Sequence, residues 1–262
     1  MIYLGICELL VFLAQLVTGF FSFRGPVATN LTLCLLLVLT TRGFLRLEGL
    51  KWVDAGVVFG RAALLRMGAG VITGISMLVM VAATTRMMIG FHWIPNPAFR
   101  WIELFPIFVT VFCSAFAQEL AFRGYPFFLM VRKWGMWPAQ LTTAFFFGCM
   151  HLHEGMGWQD VLMAMFSTGI GSLLFGMATL RTGSIWLATG IHFGWNFLQY
   201  LLPRGIGQNG QGIWLITDGR RSATDLFTYI VPYVAMVGMV YWVISFTFKD
   251  NYEQQVNRRS EG

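Results

Sequence analysis

The sequence predicts an all-α polytopic membrane protein with about eight transmembrane helices, and three observations carry that prediction. The 262 residues are 56% hydrophobic and only 11% charged, more apolar material than a water-soluble core of this length buries. The apolar residues are gathered into runs of spanning length, divided by short segments that hold Arg, Lys, Gly and Pro. Aromatic residues make up 16% of the chain, with 10 Trp and 25 Phe, as suits lipid-facing helices with interfacial anchors. The formal charge of +6 does not point to nucleic acid, because Lys and Arg are scattered between apolar runs and form no basic patch interleaved with aromatic side chains. Cys7, Cys34, Cys113 and Cys149 all fall in apolar segments without CxxC spacing and read as buried small hydrophobes in a reduced setting.

In chain order, residues 1–23 are long enough to span, lack a basic leader and a small-residue cleavage site, and carry Glu8. They predict a retained first helix and not a signal peptide. Arg24-Gly25-Pro26 turns the chain into a second span, about 27–45. Charge density rises from there to Arg66, which predicts an amphipathic connector on the cytoplasmic surface. A third span covers 68–90 and leads into FHWIPNPAFRW, an interfacial loop by its Trp, His and paired prolines. The fourth apolar region, about 101–131, is too long for one straight span. It holds Pro106 and Pro126, so a broken or strongly tilted helix is expected, with its far end leaving the membrane. A short fifth span (138–151), a sixth (161–180), a seventh (185–202) and an eighth (226–248) follow, with a Gly-rich charged loop before the last. No repeat of 20 to 50 residues interrupts this pattern, so 1–262 reads as a single transmembrane domain.

Eight spans put both termini on one side. With the tail inside, Arg42, Arg46, Lys51, Arg61, Arg66, Arg132, Lys133, Arg181, Lys249, Arg258 and Arg259 face the cytoplasm, eleven in all. Arg24, Arg86, Arg100, Arg204, Arg220 and Arg221, six in all, face outward, and the bias favours cytoplasmic termini.

Three polar clusters interrupt these helices. SAFAQELAFRG (residues 114–124) places Glu119 and Arg123 four apart, on one helical face and in the favoured order for an ion pair. An intramembrane pair of this kind is either a staple or part of a site. FFFGCMHLHEG puts Phe147 and His151 on one face near the end of the fifth span, and Gly148 allows a neighbouring helix close approach. His153 and Glu154 fall at or beyond the boundary and read as surface residues. GIHFGWNF stacks His192 and Asn196 four apart on the seventh span. Each cluster alone could be interhelical glue, worth on the order of 1 kcal/mol per contact. Three on three helices favour a converging polar site.

QELAFR, FGCMH and HFGWN resemble the three motifs EExxxR, FxxxH and HxxxN of the CPBP family. These are the CAAX-protease and bacteriocin-processing membrane proteins, intramembrane glutamic proteases related to the type II CAAX prenyl endopeptidases. The resemblance runs from about Phe112 to Tyr200 and agrees with the family's eight-span fold. It implies that a glutamate and a histidine activate water for attack on a peptide carbonyl, while a histidine and an asparagine hold the oxyanion. On that mapping His151 partners the general base, His192 and Asn196 stabilise the oxyanion, Glu119 and Arg123 brace the catalytic helix, and Phe147 packs.

The chain departs from the motif at Gln118, which occupies the position of the family's first, water-activating glutamate. An amide does not accept the proton that a carboxylate takes. Three readings follow: a variant working through His151 or a reoriented Glu119, a pseudoenzyme, and an inactivated protease. The expected partners are the lipid bilayer and a hydrophobic or membrane-associated peptide or protein substrate, with no cofactor. A zinc protease reading rests on His151, His153, His192 and Glu119, but no HExxH is present and Glu119 has Arg123 for a partner, so no metal is expected. From a different class, a non-catalytic peptide-binding or immunity protein on the same scaffold accounts for Gln118 equally. Short loops of bacterial character place the chain in a bacterial plasma membrane.

Overall fold

The computed structural model describes residues 3, 5–7, 9, 10, 13, 14, 25–204, 212–217 and 225–248. The described residues between 3 and 14 are helical; most of the predicted first span and the polar tail lie outside the described residues. The architecture is helical, as the composition predicts. Helix α1 (Pro26–Leu47) starts on a proline, whose fixed φ suits a first turn and whose missing N–H would be unpaired there anyway. Its Leu31, Leu35 and Leu39, four apart, form an exposed apolar stripe, the face a lipid-bathed helix presents.

The segment expected to be an amphipathic connector is a turn followed by one 3₁₀ turn, Trp52–Ala55, ended by Gly56 at φ 71°. Gly56 faces the ring of Phe128, and its carbonyl accepts the Ile185 N–H at 3.0 Å. The connector is therefore anchored to the bundle's end through Gly56. Helix α2 (Arg61–Ile89) then crosses to strand β1 (His92–Pro95), which pairs antiparallel with β2 (Trp214–Thr217). This small ribbon lies where an interfacial loop is expected. The alternation of so short a pair is hidden among Trp and Pro.

The fourth apolar region is broken, as its length predicts. Helix α3 (Leu104–Arg123) carries Pro106 harmlessly in its first turn; the break falls at Gly124 (ψ −134°), and α4 (Tyr125–Trp134) restarts with Pro126 in its own first turn. Helices α5 (Met136–Cys149), α6 (Trp158–Thr182), α7 (Trp186–Leu201) and α8 (Asp225–Thr247) complete the chain. Among the described residues, five helical stretches, 26–47, 61–89, 101–134, 158–182 and 227–247, are long and apolar enough to cross a membrane. At 14 and 16 residues, α5 and α7 are shorter than a full crossing and lie within the bundle.

The most intimate packing joins α2 to α7. Gly70 and Gly74 on α2 meet Gly190 and Gly194 on α7, and a methyl group added at any of the four would run into backbone of the facing helix. Two GxxxG faces thus bring main chain against main chain. His192, between the two glycines of α7, is held in a helix with no freedom to drift. On α5, Gly148 admits α6, where a Cβ would come within 3.3 Å of Met165.

Candidate active site

Glu119 and Arg123 lie on the last turns of α3, just before the Gly124 break, and both are 0% exposed. Taking two charges out of water costs several kcal/mol per ion unless partners answer each of them. The sequence suggests each other as the answer, and the structure divides the task differently. Arg123 Nη1 lies 3.4 Å from Glu119 Oε1, a loose contact. Its Nη2 donates to Ser172 Oγ at 2.5 Å and to the Ser172 carbonyl at 3.2 Å. Its guanidinium also sits 4.5 Å from the Phe147 ring centroid and 5.3 Å from that of Phe175, so ring faces supply part of its solvation. The tighter bond of Glu119 is to His192, whose Nδ1 is 2.8 Å from Oε1.

His192, 4% exposed, stacks on Phe175 with centroids 4.8 Å apart and planes at 13°. The carboxylate can only accept, so Nδ1 carries the hydrogen and Nε2 is the nitrogen left for a ligand. His151 follows the end of α5, with Nδ1 2.7 Å from the Phe147 carbonyl, again a group that only accepts. Its Nδ1 is therefore protonated, and Nε2 bears the lone pair. Phe147 is buried, supplies that carbonyl and lends its ring to Arg123, so it links the second cluster to the first.

These side chains border a cavity of about 800 Å³ whose wall includes Ser114, Phe147, His151, Phe175, His192 and Asn196. Asn196 is one turn beyond His192 on α7. Glu119 and Arg123 stand behind the wall. Gln118 does too: it is half-buried, and its Nε2 donates to Ser114 Oγ at 3.1 Å, while its Oε1 is buried without a hydrogen-bond partner. His153 and Glu154 are exposed and take no part. Among the described residues no three of His, Cys, Asp and Glu converge as metal ligands, and His151 and His192 spend their Nδ1 atoms on protein acceptors.

The three clusters thus meet around one cavity, on α3, at the end of α5 and on α7. Ser172 and Phe175, both on α6, are the supporting residues that the sequence reading misses. Neither bears a charge or a repeat signal. A Gly/Ser-rich face, GIGSLLFG, is the only local mark of them, and it reads equally as helix packing.

The cavity brings the carboxylate-bound imidazole and the second histidine together inside an apolar bundle. No curated protein matches the chain. Residues 100–198, which hold all three motifs, match the family model described as type II CAAX prenyl endopeptidase Rce1-like.

Proposed function

We propose that the chain is an intramembrane peptidase that hydrolyses a hydrophobic or membrane-associated peptide by histidine-assisted water attack, at a rate limited by Gln118. The observation that supports this most is the pair of histidines on one cavity wall, each with Nδ1 bound to an acceptor and Nε2 left over. His151 takes the water proton on Nε2 as the oxygen attacks the peptide carbonyl carbon. Asn196 donates an amide hydrogen to the oxyanion, and His192, held through Nδ1 by Glu119, stands beside it on the same helix. Collapse of the tetrahedral intermediate breaks the C–N bond, and His151 returns the proton to the leaving amine. Arg123 positions Glu119 and does not touch the substrate. The protein lies in a plasma membrane of bacterial type, with its basic end cytoplasmic.

Gln118 favours a second reading, a peptide-holding or immunity protein, because no carboxylate stands where the family's motif has its first acid. One experiment separates the two. Peptide release is compared for the unmodified chain, His151→Ala and Gln118→Glu in cells. Slow release that falls to background in His151→Ala and rises at least about tenfold in Gln118→Glu, within the usual worth of a general base, is the expected result. A biological effect that survives His151→Ala unchanged, with no release from any of the three, decides for binding. Efficient release by the unmodified chain removes the limit ascribed to Gln118.

A further inference from the structure

Ser114 is a polar residue on the cavity wall that the water attack does not use. It is half-buried on α3, and its Oγ accepts the Gln118 Nε2 hydrogen at 3.1 Å. A helical Ser or Thr in an apolar bundle commonly turns its own hydrogen back to the carbonyl four residues earlier, as Thr143, Ser167, Thr168 and Thr189 do here. Ser114 makes no such bond, and among the described residues Gln118 is the one partner of its hydroxyl. The amide N–H occupies a lone pair of Oγ, so the hydroxyl hydrogen is left for the cavity.

The level of this hydrogen follows from how α3 and α7 pack. The two helices run antiparallel: Phe116 meets Trp186, Phe112 meets Phe193 and Phe108 meets Phe197, with ring centroids 5.6, 5.8 and 5.8 Å apart. Glu119 and His192 bond across the same seam at 2.8 Å. From that bond Ser114 is five residues back along α3, about 7.5 Å of rise, and Asn196 is four residues on along α7, about 6 Å. In an antiparallel pair both steps go the same way. Ser114 and Asn196 therefore reach the cavity wall at nearly one level, from facing helices.

We infer that Ser114 is a further oxyanion donor: its hydroxyl hydrogen and the Asn196 amide hydrogen hold one carbonyl oxygen of the substrate between α3 and α7, and Gln118 is the positioning residue that directs the hydroxyl. The inference rests on the peptidase reading and gives Gln118 a task of its own. A carboxylate at 118 only accepts and would draw the Ser114 hydrogen away from the cavity, whereas the amide donates and leaves that hydrogen for the substrate. Donors placed in this way gain strength as the carbonyl oxygen gains charge. The rate rise expected for Gln118→Glu is accordingly what a base adds less what this donor loses.

The test reads binding and not turnover. A fluorescent apolar peptide and its analogue with a phosphinate in place of the central peptide bond, a tetrahedral anion like the one that water attack forms, are titrated into the full chain in phosphatidylcholine nanodiscs. The unmodified chain should bind the phosphinate at least about tenfold more tightly than the parent peptide. Ser114→Ala should weaken the phosphinate by at least about tenfold, the worth of one hydrogen bond to a charged group, cost the parent much less and leave the melting temperature unchanged. Ser114→Thr should keep the preference, and Gln118→Leu, which removes the bond to Oγ without adding charge, should lose part of it. A phosphinate affinity unchanged in Ser114→Ala or in Gln118→Leu overturns the inference and leaves the peptidase reading standing. Equal losses for both peptides in Ser114→Ala mean that the hydroxyl only packs, which overturns it as well. If the unmodified chain binds neither peptide, or binds both alike, the cavity holds no oxyanion site, and the peptidase reading fails together with the inference.

Discussion

Glu119 serves two partners at once, an imidazole and a guanidinium, and that sharing defines what its removal does. Its Oε1 is 2.8 Å from His192 Nδ1 and 3.4 Å from Arg123 Nη1. Glu119→Gln keeps the shape but frees the tautomer of His192 and leaves Arg123 with Ser172 and ring faces alone. In a carboxylate–imidazole pair, lost tautomer control reaches about 10⁴-fold in rate, so release from the Gln118→Glu background should fall by on the order of 10²-fold or more. Asn196→Ala should lower the same rate by roughly 10²- to 10³-fold, the usual worth of one oxyanion donor, without changing the melting temperature. Kinetics on the purified variants, with thermal scans beside them, check both; an Asn196→Ala protein as fast as its parent removes Asn196 from the chemistry. Arg123→Gln makes the contrasting case. It breaks a fully buried pair, and its signature should be a stability loss of about 3 to 5 kcal/mol. Which residues gather at the cavity was legible from the sequence because a charge or an imidazole in an apolar run stands out. Which of them bond was not: spacing pairs Glu119 with Arg123, whereas its tighter partner is 73 residues away on α7.

The α2–α7 contact is the element on which the site depends. A Cβ at Gly190 would collide with the Met67 carbonyl and come within 2.9 Å of Gly70 Cα, both of them backbone. Gly190→Ala must therefore separate two helices, and overpacking of this kind costs about 1 to 3 kcal/mol. Because His192 is two residues away, the variant should lose peptide release as well as stability. Gly68, on the same helix α2, has nothing within 4 Å of an added Cβ, so Gly68→Ala should gain up to about 1 kcal/mol of helix propensity. Thermal scans of the two variants in one detergent give opposite signs if close approach is the reason for these glycines. Equal melting temperatures would mean that the helices part without cost. Helix positions were legible from apolar runs bounded by Arg, Gly and Pro. That residues 101–131 hold a broken or tilted helix was legible, but the position of the break was not, because Pro106 and Pro126 carry the same letter; a proline in a first turn starts a helix, and only its place in the hydrogen-bond ladder tells the two cases apart.

At the scale of the whole molecule, two sets of contacts define the ends of the bundle independently of any membrane. At one end the 56–58 segment bonds to the start of α7, through Gly56 to Ile185 and Val58 to Trp186. The ends of α1 and α6 and the α4–α5 turn lie at this same end, with Arg42, Arg46, Lys51, Arg132, Lys133 and Arg181. At the other, β1 pairs with β2, and Asn96 Nδ2 donates to the Gly212 carbonyl. Arg86, Arg100 and Arg204 belong to that end. The loop arithmetic of the sequence thus becomes a polarity of the fold, and the positive-inside rule predicts that the 51–58 end faces the cytoplasm. Lys51 and Ala98 are both exposed, one at each end, which makes them the reporters. In a background with its four cysteines replaced by alanine, Ala98→Cys should react with a membrane-impermeant maleimide in intact cells, and Lys51→Cys only after permeabilisation. The reverse pattern would invert the molecule.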